Sequence, residues 1–402
     1  MINAKQLGIL CVLLLTLCHS TSAQNITLDK WWRYGWTEGI AVDEEGNHLY
    51  LVYGAMLRIY DISDKYNPVF VKDIPIDYDS WGTRIFIDGN YLYLNGKSGL
   101  SIFDITDKEN PALISKFDNY SWWEYGNVYV EGDYAYIACG SYGLVILDVS
   151  DKSNPEKVGI WKEADTRVSK VVVKNKIVFI LDKYNVKLVA VNCSDLANPQ
   201  KLSEVNYPSS DVWFMDMDIW SNYIFIATYP QSRNIALMVI NVSDPENPVV
   251  VHESQIGWDT PATVGWSHVK VAYPKLYVGR SSFGAGAFDI SGMNDTNPPE
   301  FIGKLTFPRS QYGRDITAVG DYMYYSGGEG SAGIGIYNFK DMEAKPILRE
   351  AGRTFQVGSI GNQYAYAVGD LWFRVFDITP VSYTHLRAHE TEADLVCRLL
   401  LE

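Results

Sequence analysis

One phrase recurs along this chain at intervals of 39 to 49 residues. It reads Asp-Ile-Ser-Asp-Lys-Tyr-Asn-Pro from Asp61, Asp-Ile-Thr-Asp-Lys-Glu-Asn-Pro from Asp104 and Asp-Val-Ser-Asp-Lys-Ser-Asn-Pro from Asp148. Degenerate copies begin further along the chain, at Asn192, Asn241, Asp289, Asn338 and, cut short after Pro380, Asp377. A period this long and regular indicates one supersecondary unit per repeat, and its length matches a four-stranded propeller blade.

Within a repeat, apolar side chains alternate with period two, which is typical of strands. In the third repeat this pattern predicts strands over residues 127–130, 134–138, 144–148 and 156–161. The sequence therefore predicts an all-β propeller over residues 24–380 with eight four-stranded blades, the last one truncated; seven blades is the alternative. Residues 25–33 or a continuation of the chain would supply the strand that the eighth blade lacks.

The repeated phrase has the chemistry of a turn. An Asp or Asn at a strand end, and the Ser or Thr after it, bond to backbone amides two residues on, and Asn before Pro favours an extended start to the next strand. A calcium site needs six or more converging oxygens, whereas these carboxylates recur wherever a turn is due. We therefore expect turns and not calcium sites.

The strands before these turns carry a family resemblance. Residues 144–148 read Leu-Val-Ile-Leu-Asp, and residues 100–104 and 57–61 are variants of the same strand. The chain resembles the LVIVD-repeat family from about Trp36 to Pro380. The resemblance implies a β-propeller of bacterial or archaeal exported or surface proteins, and it supplies no catalytic residue.

The first 23 residues predict an export signal. Lys5 is followed by an apolar run of about 11 residues, against the roughly 20 needed to cross a bilayer, and Thr21-Ser22-Ala23 suits a signal peptidase. We expect cleavage after Ala23, a secreted or cell-surface protein and no transmembrane span. Lipid attachment at Cys18 is the alternative, although Leu17 before it is bulky.

The net charge narrows the class of partner, and the hydrophobic and cysteine content indicates what kind of core the chain forms. The formal net charge of −14 repels phosphate backbones, so we expect no nucleic-acid partner. Hydrophobic residues make up 47 % of the chain, enough for a large core. Cys139 and Cys193 lie in different repeats, and free buried thiols are expected in preference to a disulfide.

The repeat pattern of the sequence ends after Pro380. Residues 381–391 and 394–401 resemble the conceptual translation of a sequencing-library adapter, with a short gap between the two segments. We expect residues 381–402 to be a non-native tail; an amphipathic C-terminal helix is the alternative.

Two sets of candidate binding residues follow from aligning the repeats on their innermost strands. The rim of the central channel is polar and of mixed sign, and besides Gly39 it comprises Arg84, Asn127, Lys170, Asp216, His268 and Asp315. A hydrated channel lining and a site for a small polar ligand or ion are the two interpretations. Aromatic residues precede these positions, at Trp36, Trp81, Trp122, Trp123, Tyr125, Trp213, Trp266 and Tyr312. Such rings serve either packing between blades or recognition, and solvent exposure distinguishes the two.

These features favour a non-catalytic extracellular module that binds a protein, a glycan or an envelope component. A hydrolase or lyase acting on polysaccharide is the alternative, with Asp216 and Asp315 as acid and base about 5–10 Å apart. A purely structural module of a larger surface protein is a third hypothesis. His48, His252 and His268 are too widely spaced to predict a histidine-based metal site, and no cofactor is predicted.

Overall fold

The structure is a computed structural model. It describes residues 37–53, 56–76, 83–96, 99–118, 126–209, 211–230, 235–255, 267–280, 284–305, 313–327, 333–347, 354–360, 364–369 and 373–377. The predicted signal peptide (1–23), the proposed closing strand (25–33) and the predicted non-native tail (381–402) lie outside these ranges. Within them every regular element is a β-strand, and no helix occurs that could span a membrane.

Seven four-stranded antiparallel sheets, each in simple sequence order, form blades 1 to 7. The strands of blades 1 to 4 are β1 (Thr37–Val42), β2 (His48–Tyr53), β3 (Met56–Asp61), β4 (Val69–Pro75), β5 (Arg84–Asp88), β6 (Tyr91–Gly96), β7 (Gly99–Asp104), β8 (Ala112–Phe117), β9 (Val128–Glu131), β10 (Tyr134–Ala138), β11 (Leu144–Asp148), β12 (Glu156–Trp161), β13 (Lys170–Lys174), β14 (Ile177–Asp182), β15 (Lys187–Asn192) and β16 (Gln200–Asn206). Those of blades 5 to 7 are β17 (Val212–Trp220), β18 (Tyr223–Pro230), β19 (Leu237–Asn241), β20 (Val249–Ser254), β21 (Ser267–Ala272), β22 (Lys275–Arg280), β23 (Gly284–Asp289), β24 (Glu300–Leu305), β25 (Gly313–Val319), β26 (Tyr322–Gly327), β27 (Gly333–Asn338) and β28 (Glu343–Ile347).

The prediction of four strands per repeat is confirmed. In blade 3 the last three predicted strands coincide with β10, β11 and β12, and the first is displaced by one residue at each end.

The prediction of eight blades is wrong, because the ring closes after seven. The first strands of successive blades pack side by side, and β25 of blade 7 packs directly against β1 of blade 1. Across this junction the Ile40 amide donates to Asp315 Oδ2 at 3.4 Å, and the Tyr324 hydroxyl donates to the Lys65 carbonyl at 2.7 Å. The last repeat forms a three-stranded sheet of β29 (Thr354–Ile360), β30 (Tyr364–Gly369) and β31 (Phe373–Asp377), which has no place between blades 7 and 1.

Burial is greatest in the two middle strands of a blade. In blade 3, β10 and β11 are almost wholly buried, whereas the first strand, β9, alternates between buried and half-buried residues and the fourth strand, β12, is exposed at half of its residues. The core therefore consists of layers between neighbouring blades. At the closing junction Leu49 and Tyr60 of blade 1 pack in one cluster with Tyr324 and Ile336 of blade 7. Each such fully buried aliphatic side chain stabilises the ring by roughly 1.5–3 kcal/mol.

The fourth strand of each of the first six blades carries an irregularity at the same place. In blade 3 the pairing shifts between Ile146 and Leu147, and the corresponding shift recurs in blades 1, 2, 4, 5 and 6. Next to this bulge, a Cβ at Gly159 would lie only 1.9 Å from the Leu196 carbonyl oxygen of blade 4. Glycine is therefore required for the close approach of these two blades.

The turn interpretation of the repeated phrase is confirmed by its hydrogen bonds. In all seven blades the first Asp or Asn accepts from the backbone amide two residues later, at 2.7–3.0 Å. At Asp148 the Ser150 hydroxyl and amide both donate to the carboxylate, and these bonds hold its pKa below the usual value. The carboxylates are thus occupied by backbone and side-chain donors of their own turns.

Candidate functional site

The two faces of the ring carry different segments of the blades. We call the face near the start of the first strands the rim face; it carries Lys170, Asp216 and His268. We call the opposite face the turn face; it carries the seven turns between first and second strands. Because strand direction is the same in every blade, equivalent positions of each repeat lie on the same face.

Three predicted rim residues from three successive blades meet at Asp216. Lys170 of blade 4 donates to Asp216 Oδ1, and His268 Nδ1 of blade 6 lies 3.5 Å from Oδ2. Two backbone amides complete the set, since Met217 N donates to Oδ1 at 2.9 Å and Val269 N to Oδ2 at 3.1 Å. The Asp216 side chain is 8 % exposed. Asp216 therefore joins three first strands through a buried, fully bonded carboxylate.

The same type of bridge recurs in alternate blades. Asn127 of blade 3 bonds to both the amide and the carbonyl of Val171, at 2.7 and 2.8 Å. Asp216 of blade 5 accepts from Val269, and Asp315 of blade 7 accepts from Ile40. In each case the donor is the backbone amide one residue after the rim position of the neighbouring blade. The first strand of a blade is a sheet edge with unpaired amides, and these side chains supply the missing partners.

The electrostatics of Asp216 determine its chemistry. Burial opposes its charged form, but Lys170 and His268 outweigh that effect and hold the pKa of the carboxyl well below its usual range. A group with this pKa carries no proton to donate at neutral pH, so it does not suit the role of general acid. The arrangement supports a structural carboxylate more than the acid of the hydrolase hypothesis.

His268 contributes an atom with no hydrogen-bond partner. Its Nδ1 faces Asp216, whereas Nε2 is buried and unpartnered, and its ring lies edge-on to Tyr325 at 6.1 Å between centroids. The remaining rim candidate, Arg84, is half-buried and donates to the Thr83 carbonyl at 3.1 Å. The structure therefore brings together Lys170, Asp216 and His268 as one cluster.

A second charged pair lies two residues deeper in the channel, and the sequence analysis missed it. Lys270 Nζ lies 3.2 Å from Asp218 Oδ2, and the same oxygen accepts from Val271 N at 2.9 Å. Asp218 raises the pKa of Lys270, and Asp315 and Asp216 add to that effect. The two-residue spacing from Asp216 and His268 is a signal that could have identified this pair.

Trp213 is the one predicted aromatic residue that falls within the described ranges. It is 49 % exposed and stacks on Tyr229 of the adjoining strand, with ring centroids 5.7 Å apart and an interplanar angle of 28°. The other aromatic candidates lie outside those ranges, at Trp36, Trp81, Trp122, Trp123, Tyr125, Trp266 and Tyr312.

A second stacked pair, on the turn face, was not predicted from the sequence. Trp220 of blade 5 and Tyr273 of blade 6 stack with centroids 4.5 Å apart and nearly parallel planes.

Metal-binding geometry is not assembled among the described residues, where no three His, Cys, Asp or Glu side chains converge. His48 bonds to Asp43 at 3.0 Å, and His252 Nε2 donates to the Asn294 carbonyl at 2.6 Å. The prediction of free buried thiols is confirmed, and burial raises the pKa of Cys139 and Cys193 to about 12.

The seven-sheet ring and its central channel define the chain as a β-propeller. A family model described as LVIVD repeat matches residues 35–74, 82–119 and 125–162. The chain is a β-propeller whose matched segments are LVIVD repeats, as the strand pattern predicted. The matched segments cover blades 1 to 3.

Three solved structures are similar to this chain at low sequence identity. A computationally designed protein, Ika8, is 9 % identical with a TM-score of 0.55, covering 86 % of this chain and 96 % of its own. A functionally unknown protein from Desulfotomaculum acetoxidans DSM 771 is 12 % identical with a TM-score of 0.55, covering 79 % and 96 %. BamB from Moraxella catarrhalis is 13 % identical with a TM-score of 0.45, covering 91 % and 98 %. A search of curated proteins returned no match. At these identities the likeness to Ika8 and to the Desulfotomaculum acetoxidans protein concerns the fold alone.

Proposed function

We propose that this protein is an exported, non-catalytic propeller that binds a protein, a glycan or an envelope component on its rim face. The observation that carries the proposal is Trp213, whose ring is half exposed and supported from behind by Tyr229. A buried ring would serve packing, whereas an exposed one held in place offers contact area at little entropic cost.

The rim cluster supports binding over catalysis. Asp216 is deprotonated and buried, and it interacts with Lys170, His268 and the backbone amides of Met217 and Val269. Such an arrangement suits a rigid scaffold beneath a recognition surface. The net charge of −14 disfavours nucleic acid as the partner.

The test is a comparison of wild type and Trp213→Ala on glycan and protein arrays. We expect the variant to lose binding by about tenfold or more, because truncating an aromatic anchor costs about 2 kcal/mol. Leu113→Ala is the control, since Leu113 is equally exposed at 49 % but lies on an outer strand. Equal retention of Trp213→Ala and wild type would refute the rim-face site.

Export is tested separately. Expression with the native N-terminus in a secreting host should give extracellular protein that begins at Gln24, as read by N-terminal sequencing. Retention of residues 1–23 in a cell-associated product would contradict this part of the proposal.

A further inference from the structure

The turns between first and second strands follow one composition in most blades. Five of the two-residue turns are Gly89-Asn90, Gly132-Asp133, Asn175-Lys176, Ser221-Asn222 and Gly320-Asp321, and blade 1 has a longer polar turn over residues 43–47. Such residues suit tight turns because glycine and asparagine tolerate positive φ. The structure describes the turn between the first and second strands in all seven blades.

Blade 6 departs from this composition with Tyr273-Pro274. Tyr273 is 53 % exposed, and it is the one large hydrophobic side chain exposed in these seven described turns. In blade 5 the residue that precedes the turn is Trp220. The other six blades have a charged or an aliphatic residue there, namely Asp88, Glu131, Lys174, Val42, Ala272 and Val319. Blades 2, 3, 4 and 7 also connect these strands through two residues without either aromatic side chain, so a two-residue connection does not need them.

These two departures meet in space. The Trp220 and Tyr273 rings stack at 4.5 Å with an interplanar angle of 9°. Trp220 is half-buried and packs against the core between blades 5 and 6, so it supports the inner side of the Tyr273 ring. The stack thereby holds one flat aromatic face toward solvent in a fixed orientation.

Polar groups border this aromatic platform. Ser221 and Asn222 are exposed beside Trp220, and Lys174 of blade 4 donates both to the Ser221 carbonyl and to Asn222 Oδ1. These two hydrogen bonds from Lys174 fix the turn that follows Trp220. Because Lys174 bonds to the Asn222 oxygen, the side-chain NH2 of this exposed residue stays a donor for other partners.

We propose that Trp220 and Tyr273 form a second binding site, on the turn face, for a neutral glycan. A flat aromatic ring flanked by amide and hydroxyl groups suits the apolar face and the hydroxyls of a sugar ring. A protein interface would bury about 800 Å² on each partner around a larger apolar centre, whereas here a single ring is bordered by polar turns. The acidic chain, at −14, disfavours an anionic polysaccharide.

This site is separate from the one proposed on the rim face. Trp213 and Trp220 lie near opposite ends of β17, seven residues and therefore about 23 Å apart. Loss of ligand binding at one site therefore does not require loss of binding at the other.

The experiment is affinity gel electrophoresis of the full chain in hydroxyethylcellulose, laminarin and glucomannan. We expect at least one of these to retard wild type, and Tyr273→Ala to bind about tenfold more weakly. Tyr273→Phe, which keeps the stacked ring, should bind within about twofold of wild type. Tyr184→Ala is the matched control, because Tyr184 is 55 % exposed in a different turn and should leave retardation unchanged.

Loss of retardation in Trp213→Ala, with Tyr273→Ala binding like wild type, would place glycan binding on the rim face and overturn the proposal for the turn face. Thermal unfolding of each variant checks folding, and Tyr273→Leu provides a second variant that keeps apolar bulk without a flat ring. Absence of retardation of wild type in all three polysaccharides, or unchanged retardation of folded Tyr273→Ala and Tyr273→Leu, would overturn the proposal. Capture of a protein at this face without glycan binding would overturn it as well.

Discussion

Replacing Asp216 with alanine should destabilise the ring more than any other single change at the rim. The carboxylate satisfies two buried backbone amides, those of Met217 and Val269, and Lys170 is its charged partner. Each buried amide left without an acceptor costs about 1–3 kcal/mol. The two together give a loss of about 4 kcal/mol in the free energy of unfolding, which agrees with the roughly 3–5 kcal/mol typical of breaking a buried ion pair.

The size of the loss should follow the number of acceptor atoms that remain. Asp216→Asn keeps one oxygen and should cost about half as much as Asp216→Ala. Lys170→Met leaves both amide bonds and His268 in place but removes the lysine from a buried carboxylate, so it should cost less than Asp216→Ala, about 2 kcal/mol. Urea unfolding at neutral pH, followed by tryptophan fluorescence, measures all three. Asp165→Ala, at an exposed aspartate, is the control.

The contribution of Asp216 should also depend on pH with a definite sign. Its pKa is lowered in the folded state, so the carboxylate's stabilisation is present above its unfolded pKa, about 3.9, and is lost as pH falls toward the folded value. The difference in unfolding free energy between wild type and Asp216→Asn should be constant above about pH 5 and shrink below about pH 4. The proposed role of Asp216 in joining the three strands would be refuted if Asp216→Ala lowered the unfolding free energy by less than about 1 kcal/mol. It would also be refuted if the difference between wild type and Asp216→Asn increased at acidic pH.

Two further predictions concern packing and thiol reactivity. Gly159→Ala should destabilise the protein by about 1–3 kcal/mol, because its Cβ would overlap a carbonyl oxygen of the next blade, whereas Gly292→Ala, with nothing within 4 Å, should be near neutral; thermal unfolding distinguishes them, and equal effects would contradict the close approach. Cys139 and Cys193, buried and with thiol pKa values near 12, should react with a thiol-specific reagent such as Ellman's only after denaturation, and rapid labelling of the native protein would contradict their burial.

The strands and turns of this protein were determined by local sequence. Alternating apolar residues predicted β10, β11 and β12 to the residue, since a strand's side-chain period of two depends on its own backbone. The repeated phrase predicted its turns because Asp148 and its equivalents bond to amides only two residues away. The family pattern lies in the same strands and turns, so it was readable for the same reason.

The number of blades and the composition of the sites were decided by tertiary structure. Eight repeats are present, yet the ring closes with β25 against β1, because closure depends on the angle at which neighbouring sheets pack and not on how many copies the chain contains. Alignment of the repeats placed Asp216 and His268 at the rim, but their meeting with Lys170 needed three blades side by side. The same holds for Trp220 and Tyr273, which are 53 positions apart in sequence and become a single stacked surface only when blades 5 and 6 pack together.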